Sequence, residues 1–233
     1  MFIFAHVFLG ALIGLGFWYL THDRWTLLLG ILGAILPDLL DKPLALPVPG
    51  IFGSGRTIGH SLLFFAAALA IALVIWHCRH TLAAVACACA ILSHQILDSM
   101  WTIPSVWFYP FLGPFTGFII PDYIGHFFWL EIASPSELVF ATASVLIGVY
   151  FLILPKPRIT YRIAGGLHAI RSIAVFLLGV MCIDLLASGL MIIPRAFSAP
   201  TYDPVTCVMA GILALCGAIV LVKWPGPDLQ LAD

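Results

Sequence analysis

The sequence predicts an all-α fold, a polytopic bundle of transmembrane helices, and three observations carry that prediction. Hydrophobic residues make up 62% of the 233-residue chain and charged residues only 9%. Mean hydropathy is +1.11. Apolar windows of about 20 residues, the length a helix needs to cross a bilayer core, recur along the chain. A soluble domain carries roughly 25% charged residues, so this chain has too few to coat a globule in water. The net charge of −1 excludes both a basic nucleic-acid surface and an acidic tail. No internal repeat or compositional break divides residues 1–233, which read as a single integral membrane domain.

The spans fall near Phe2–Leu20, Ile58–Trp76, Leu82–Ser99, Glu137–Leu154, Ile173–Ile193 and Val205–Val222. Phe2–Leu20 lacks a basic leader and a cleavage site, so it reads as a retained span. Trp25–Leu36 is apolar but ends at Pro37, and twelve helical residues reach only about 18 Å. It is either a short span, giving seven in all, or a re-entrant half-helix, giving six. The six cysteines sit in or beside apolar runs without CxxC spacing, which suits packing residues rather than disulfides.

The basic residues orient the bundle. Lys156, Arg158, Arg162 and Arg171 share one connection, which the positive-inside rule assigns to the cytoplasm. Counting back through seven spans places the N-terminus outside. Seven of the ten Lys and Arg then lie inside, and Lys42, Arg56 and Arg195 stay outside.

Ionisable groups inside spans cost about 2.5–3.5 kcal/mol each on insertion scales, which makes them functional candidates. Here they are grouped. His6 opens the first span; Asp38 and Asp41 follow Pro37; Arg56 and His60 open the next span; His94 and Asp98 close the one after it. In the orientation above, all of them lie at extracytoplasmic helix ends. His94 and Asp98 stand four apart, as do Arg56 and His60, so each pair shares a helical face. Asp38 and Asp41, three apart, share one if Pro37 begins a helical turn. Imidazoles and carboxylates meeting at one depth suit a divalent metal: zinc first, with manganese or iron also compatible. Plainer roles stay open beside this one. Asp38 is also a residue that caps helices, Arg56 one that snorkels to headgroups, and Ser61 one that bonds its own backbone. Asp184, alone in the middle of a span, fits an interhelical hydrogen bond better than catalysis.

The order of these elements resembles the YdjM-like family of membrane-bound metal-dependent hydrolases, named for its LexA-regulated inner-membrane member. His6 with Gly10, Pro37-Asp38-Leu39-Leu40-Asp41, Arg56 through His60-Ser61, and His94 through Asp98 match its motifs in sequence order. Trp107-Phe108-Tyr109-Pro110-Phe111 matches its Pro-rich aromatic stretch. The resemblance covers roughly residues 1–115, and Gly55 stands where the family carries a His beside its Arg. It implies a metal-dependent hydrolase of the prokaryotic cytoplasmic membrane. The lipid phosphatases that also use HxxxD need Ser-Arg before it, whereas Cys87-Ala88 stands here, so that family is excluded.

The resulting expectation is metal-assisted hydrolysis at the outer membrane–water boundary. His6, Asp38, His60, His94 and Asp98 hold the metal. Asp41 acts as a further ligand or general base, and Arg56 grips an anionic group on the substrate. The aromatic residues between Trp101 and Trp129 form either an interfacial belt or a flap over the site, favouring an amphiphilic substrate such as a phospholipid-like phosphate or ester. His126 and Glu131 in that stretch are secondary candidates. The expected partners are therefore membrane lipids and an amphiphilic small molecule. The competing class is a divalent-cation or proton-coupled transporter, although such a site belongs near the bilayer midplane.

Overall fold

A computed structural model describes residues 3–45, 55–115, 122–153, 157–192 and 202–223. The described residues are helical, with no strand among them. They divide into two compact units, Met1–Ala133 and Ser134–Asp233.

The first unit is built on four helices: α1 (Ile3–Thr21), α2 (Trp25–Ala45), α3 (Leu62–Arg79) and α4 (Ala83–Leu97). Short pieces follow: α5 (Pro104–Trp107) and α6 (Tyr123–Ile132). A 3₁₀ turn, Ile58–His60, enters α3, and a second one, Met100–Thr102, follows α4. Helix α2 packs between α1 and α4, and α3 leans on α4. Glycines set how close these helices come. A β-carbon on Gly10 would lie 2.6 Å from both the Gly30 carbonyl and Ala34 Cβ, and one on Gly33 would collide with the Cys87 backbone. Small residues at such crossings let helix backbones touch, the usual basis of close packing in membranes. At the end of the bundle that carries Arg24 and Arg79, the Thr81 hydroxyl donates to Asp23 Oδ2 at 2.6 Å, tying the α1–α2 turn to the α3–α4 turn.

Helix α2 runs further than its sequence suggests. It continues through Pro37 and Pro43 to Ala45, for 21 residues, instead of stopping at Leu36. That is about 31 Å, the thickness of a bilayer core. Proline removes one helical N–H, but neighbouring elements can hold the turn around it. Here the turn Thr57–His60 does so, donating three backbone N–H groups to Asp41.

The second unit contains α7 (Pro135–Ile153), α8 (Pro157–Gly189) and α9 (Pro204–Lys223), with α8 packed against both others. Phe140, Ala143, Leu178, Met181, Leu185, Ala210 and Ala214 form its core. Asp184 is buried there, and Glu137, fully buried, accepts a hydrogen bond from the Tyr202 hydroxyl. Helix α8 corrects one expectation. The connection carrying Arg158, Arg162 and Arg171 is not a loop but the first half of this 33-residue helix. Lys156 and Arg195 lie outside the described residues.

Among the described residues, four helical stretches are long and apolar enough to cross a membrane: Ile3–Thr21, Leu62–Arg79, His168–Gly189 and Pro204–Lys223. Ala83–Leu97 and Pro135–Val149 are shorter apolar helices. All six cysteines are free thiols, as their apolar settings imply.

Candidate metal centre

Six of the residues singled out in the sequence meet at one end of α1–α4. His6 comes from the first turns of α1, Asp38 and Asp41 from the last turns of α2, His60 from the 3₁₀ turn before α3, and His94 and Asp98 from the end of α4. All six are buried; the most exposed, Asp38, shows 8% of its surface. The close α1–α2 and α2–α4 crossings permit this. With backbones nearly touching, the rings of His6 and His94 stack at 3.9 Å between centroids.

Two of the imidazoles have their protons fixed by geometry. His94 Nδ1 lies 2.6 Å from the carbonyl oxygen of Ala34. A carbonyl only accepts, so Nδ1 carries the hydrogen and Nε2 of the neutral ring is bare. His60 Nδ1 lies 2.7 Å from Asp41 Oδ2, and the carboxylate likewise claims the Nδ1 hydrogen. The two bare Nε2 atoms then face each other at 3.1 Å. Two lone pairs at that distance repel unless a cation or a shared proton lies between them.

Carboxylates complete the surroundings. Asp38 Oδ1 is 3.7 Å from His60 Nε2 and 3.9 Å from His94 Nε2, and Asp98 Oδ2 is 3.6 Å from His60 Nε2. Ligands at about 2.1 Å from a tetrahedral zinc ion stand about 3.4 Å from one another. Three of these donors, Asp38 Oδ1, His60 Nε2 and His94 Nε2, lie close enough together to share a single ion of that kind. His6 Nε2 lies 3.1 Å from the other oxygen of Asp98, Oδ1, while its Nδ1 is buried without a hydrogen-bond partner. Among the described residues, the groups that could hold a metal are His6, His94 and Asp98, and Asp38, His60 and His94. The hydrogen bonds on the far nitrogens of His60 and His94 are those that orient metal-binding histidines elsewhere, one to a carboxylate and one to a main-chain carbonyl.

Asp41 has a different place from Asp38, although the sequence suggested a shared face. Its Oδ2 accepts from Thr57 N at 2.6 Å, His60 N at 3.3 Å and His60 Nδ1, and its Oδ1 accepts from Gly59 N at 2.9 Å. A β-carbon on Gly59 would come within 2.9 Å of the Pro37 carbonyl, so only glycine lets the turn lie this close. Asp41 therefore addresses the back of the His60 ring, while Asp38 addresses its front. Arg56 reaches the cluster too: its Nε and Nη2 both donate to Asp98 Oδ2 at 3.1 Å. Gly55 before it has φ 63°, a left-handed conformation that opposes any side chain there.

Sequence reasoning missed two residues. Lys42 donates to Asp38 Oδ2 at 2.6 Å, one turn further along α2. Gln95, fully buried beside His94, donates to the carbonyls of Gly59 and Ser61 and accepts from Trp107 Nε1 at 3.2 Å. A glutamine amid the apolar residues of α4 was the available signal, and it ties the aromatic stretch to the turn carrying His60. Ser61 takes its plainer role, capping α3 through Phe64 N. Glu131 accepts from Ile3 N and Phe4 N at the start of α1, and neither it nor His126 belongs to the metal-capable groups. Burial raises the Glu131 carboxyl above the ordinary range, against the pull of those two amides.

Comparison with protein families gives a match to the model described as YdjM inner membrane protein over residues 1–186. The match extends past the motifs, through α7 and most of α8. No curated protein and no solved structure matches the chain.

Proposed function

The chain belongs to the YdjM inner membrane protein family, and from that premise we propose that it is a metal-dependent membrane hydrolase with its centre at the extracytoplasmic membrane boundary. The observation that carries this reading is that His60 Nε2 and His94 Nε2 lie 3.1 Å apart, with the far nitrogens of both rings already held by Asp41 and the Ala34 carbonyl. Asp38 and Asp98 add the negative charge that a divalent ion needs, and zinc suits this nitrogen–oxygen set best. His6 holds Asp98 through Oδ1 or joins the ligands directly. A divalent ion held here would supply Lewis acidity and lower the pKa of a bound water.

The protein's own groups arrange the rest. Asp41 holds His60 in one tautomer and orientation, a positioning role in place of the ligand or general-base role its motif suggested. The Ala34 carbonyl does the same for His94. Burial of all six residues excludes bulk water, which strengthens each electrostatic interaction inside. The outward orientation rests on Lys156, Arg158, Arg162 and Arg171, which the positive-inside rule assigns to the cytoplasm; in that orientation Arg24 and Arg79 are at the cytoplasmic end of the α1–α4 bundle and the site at the other. The apolar helices around it suit an amphiphilic ester or phosphoester whose tail remains in the bilayer.

Metal analysis of the purified protein tests this reading. About one zinc, manganese or iron per chain is expected, and His94→Ala should lose it together with some thermal stability, because metal binding and folding are linked. Stoichiometric metal persisting in His60→Ala/His94→Ala would refute the site.

A further inference from the structure

Each carboxylate that faces the two bare nitrogens also has a cation at its side. Lys42 Nζ sits 2.6 Å from Asp38 Oδ2, and the Arg56 guanidinium sits 3.1 Å from Asp98 Oδ2. These cations differ from the rest of the cluster in exposure. The Lys42 side chain is 32% exposed and that of Arg56 36%, whereas His60 and His94 are fully buried and the Asp38 and Asp98 side chains show only 11% and 5%. The two partly exposed cations beside the buried carboxylates are carried on different segments, α2 and the turn before α3.

We propose that Lys42 and Arg56 form a phosphate-binding clamp over the metal centre, which narrows the substrate to one bearing a phosphate group. The proposal rests on the metal reading above. A carboxylate that coordinates a dication commits charge to it and holds a neighbouring ammonium or guanidinium less tightly. Both cations stay tethered by their backbones beside the ion. Lys42 and Arg56 place two positive charges beside Asp38 and Asp98, so an anion reaching the loaded centre would meet directed cationic donors as well as the ion. A carboxylate has two oxygens, enough for the ion and one cation. The three terminal oxygens of a phosphate ester can be shared among the ion, the planar guanidinium of Arg56 and the point charge of Lys42. An ammonium carries three N–H donors and a guanidinium five, so each can serve an aspartate and an anion at once.

Zinc-loaded protein in phosphatidylcholine nanodiscs, titrated with inorganic phosphate by calorimetry, tests the clamp without measuring turnover. Phosphate should bind the wild type, at least tenfold more weakly Lys42→Gln and Arg56→Gln, and within threefold of wild type Lys42→Arg. Zinc content should be unchanged in all of them, since removing a cation from beside a ligand does not cost the ion its donors. Nanodiscs containing phosphatidic acid separate the sources: competition with inorganic phosphate assigns the clamp to a lipid headgroup, and unaltered phosphate affinity assigns it to a soluble phosphate. Equal phosphate affinity in wild type and both Gln variants, with zinc retained, overturns the clamp and leaves the metal reading standing. Loss of zinc in both variants also overturns it, because the cations then serve to hold the carboxylates. A wild type that binds no zinc, manganese or iron removes the metal reading and the clamp with it.

Discussion

Asp41 binds His60 twice, through the ring Nδ1–H at 2.7 Å and through the backbone N–H at 3.3 Å. One carboxylate on α2 thereby fixes both the position of the 3₁₀ turn and the tautomer of its imidazole. The consequence is measurable. Asp41→Asn preserves shape but removes the charge that favours Nδ1–H. Loss of such a partner typically lowers metal affinity by about 10–100-fold, or about 1.4–2.7 kcal/mol. Competition with a chelator should show this decrease with about one ion still bound at saturation. An unchanged affinity would show that the Thr57, Gly59 and His60 amides alone suffice to hold the turn.

Helix spacing should matter as much as the donors. Gly33→Ala sets a β-carbon into the Cys87 backbone and forces α2 away from α4. Overpacking of this kind costs about 1–3 kcal/mol, and it also pulls the Ala34 carbonyl from His94. Gly16→Ala is the control, since a β-carbon there meets nothing within 4 Å. Thermal unfolding in detergent should therefore fall for Gly33→Ala and hold or rise for Gly16→Ala, with metal content following the same order. Equal melting of the two variants would mean that α2 and α4 have slack at their crossing.

Orientation can be read by cysteine accessibility in a background without the six native cysteines. Positions Thr21 and Thr81 lie at the Arg24 and Arg79 end of the first unit and should label only from the cytoplasmic face. Phe111, 83% exposed in the aromatic stretch, should label from the outer face. Labelling of position 21 from outside would reverse the bundle and turn the candidate centre toward the cytoplasm.

Much of the centre was legible because its residues are costly where they stand. A histidine or aspartate in an apolar run announces itself, and the spacing of His94 and Asp98 placed both on one face. The all-helical class followed from composition alone. What stayed hidden was chemistry without a side-chain signature. The partner of His94 is the carbonyl of Ala34, and every residue has a carbonyl. Asp38 and Asp41 looked alike at three residues apart, yet they address opposite nitrogens of His60. Pro37 marked a helix end because the amides that hold the turn beyond it come from residues 57–60, distant in the chain. Lys42 went unread as a site residue because a lysine near a helix end ordinarily snorkels, and only the fold shows it on Asp38.

The donors of the centre are spread from residue 6 to residue 98, across α1, α2, the turn before α3, and α4, which leave the ribosome one after another. His6 is inserted first, yet its stacking partner and the carboxylate it binds arrive only with α4. On the proposed metal reading, no early fragment of the chain could capture an ion in its final coordination, so metal acquisition would be a late event in biogenesis. Truncation before residue 94 would leave carboxylates and imidazoles but no closed set. Possession of an ion would then certify that α1, α2, the turn before α3, and α4 have all found their places.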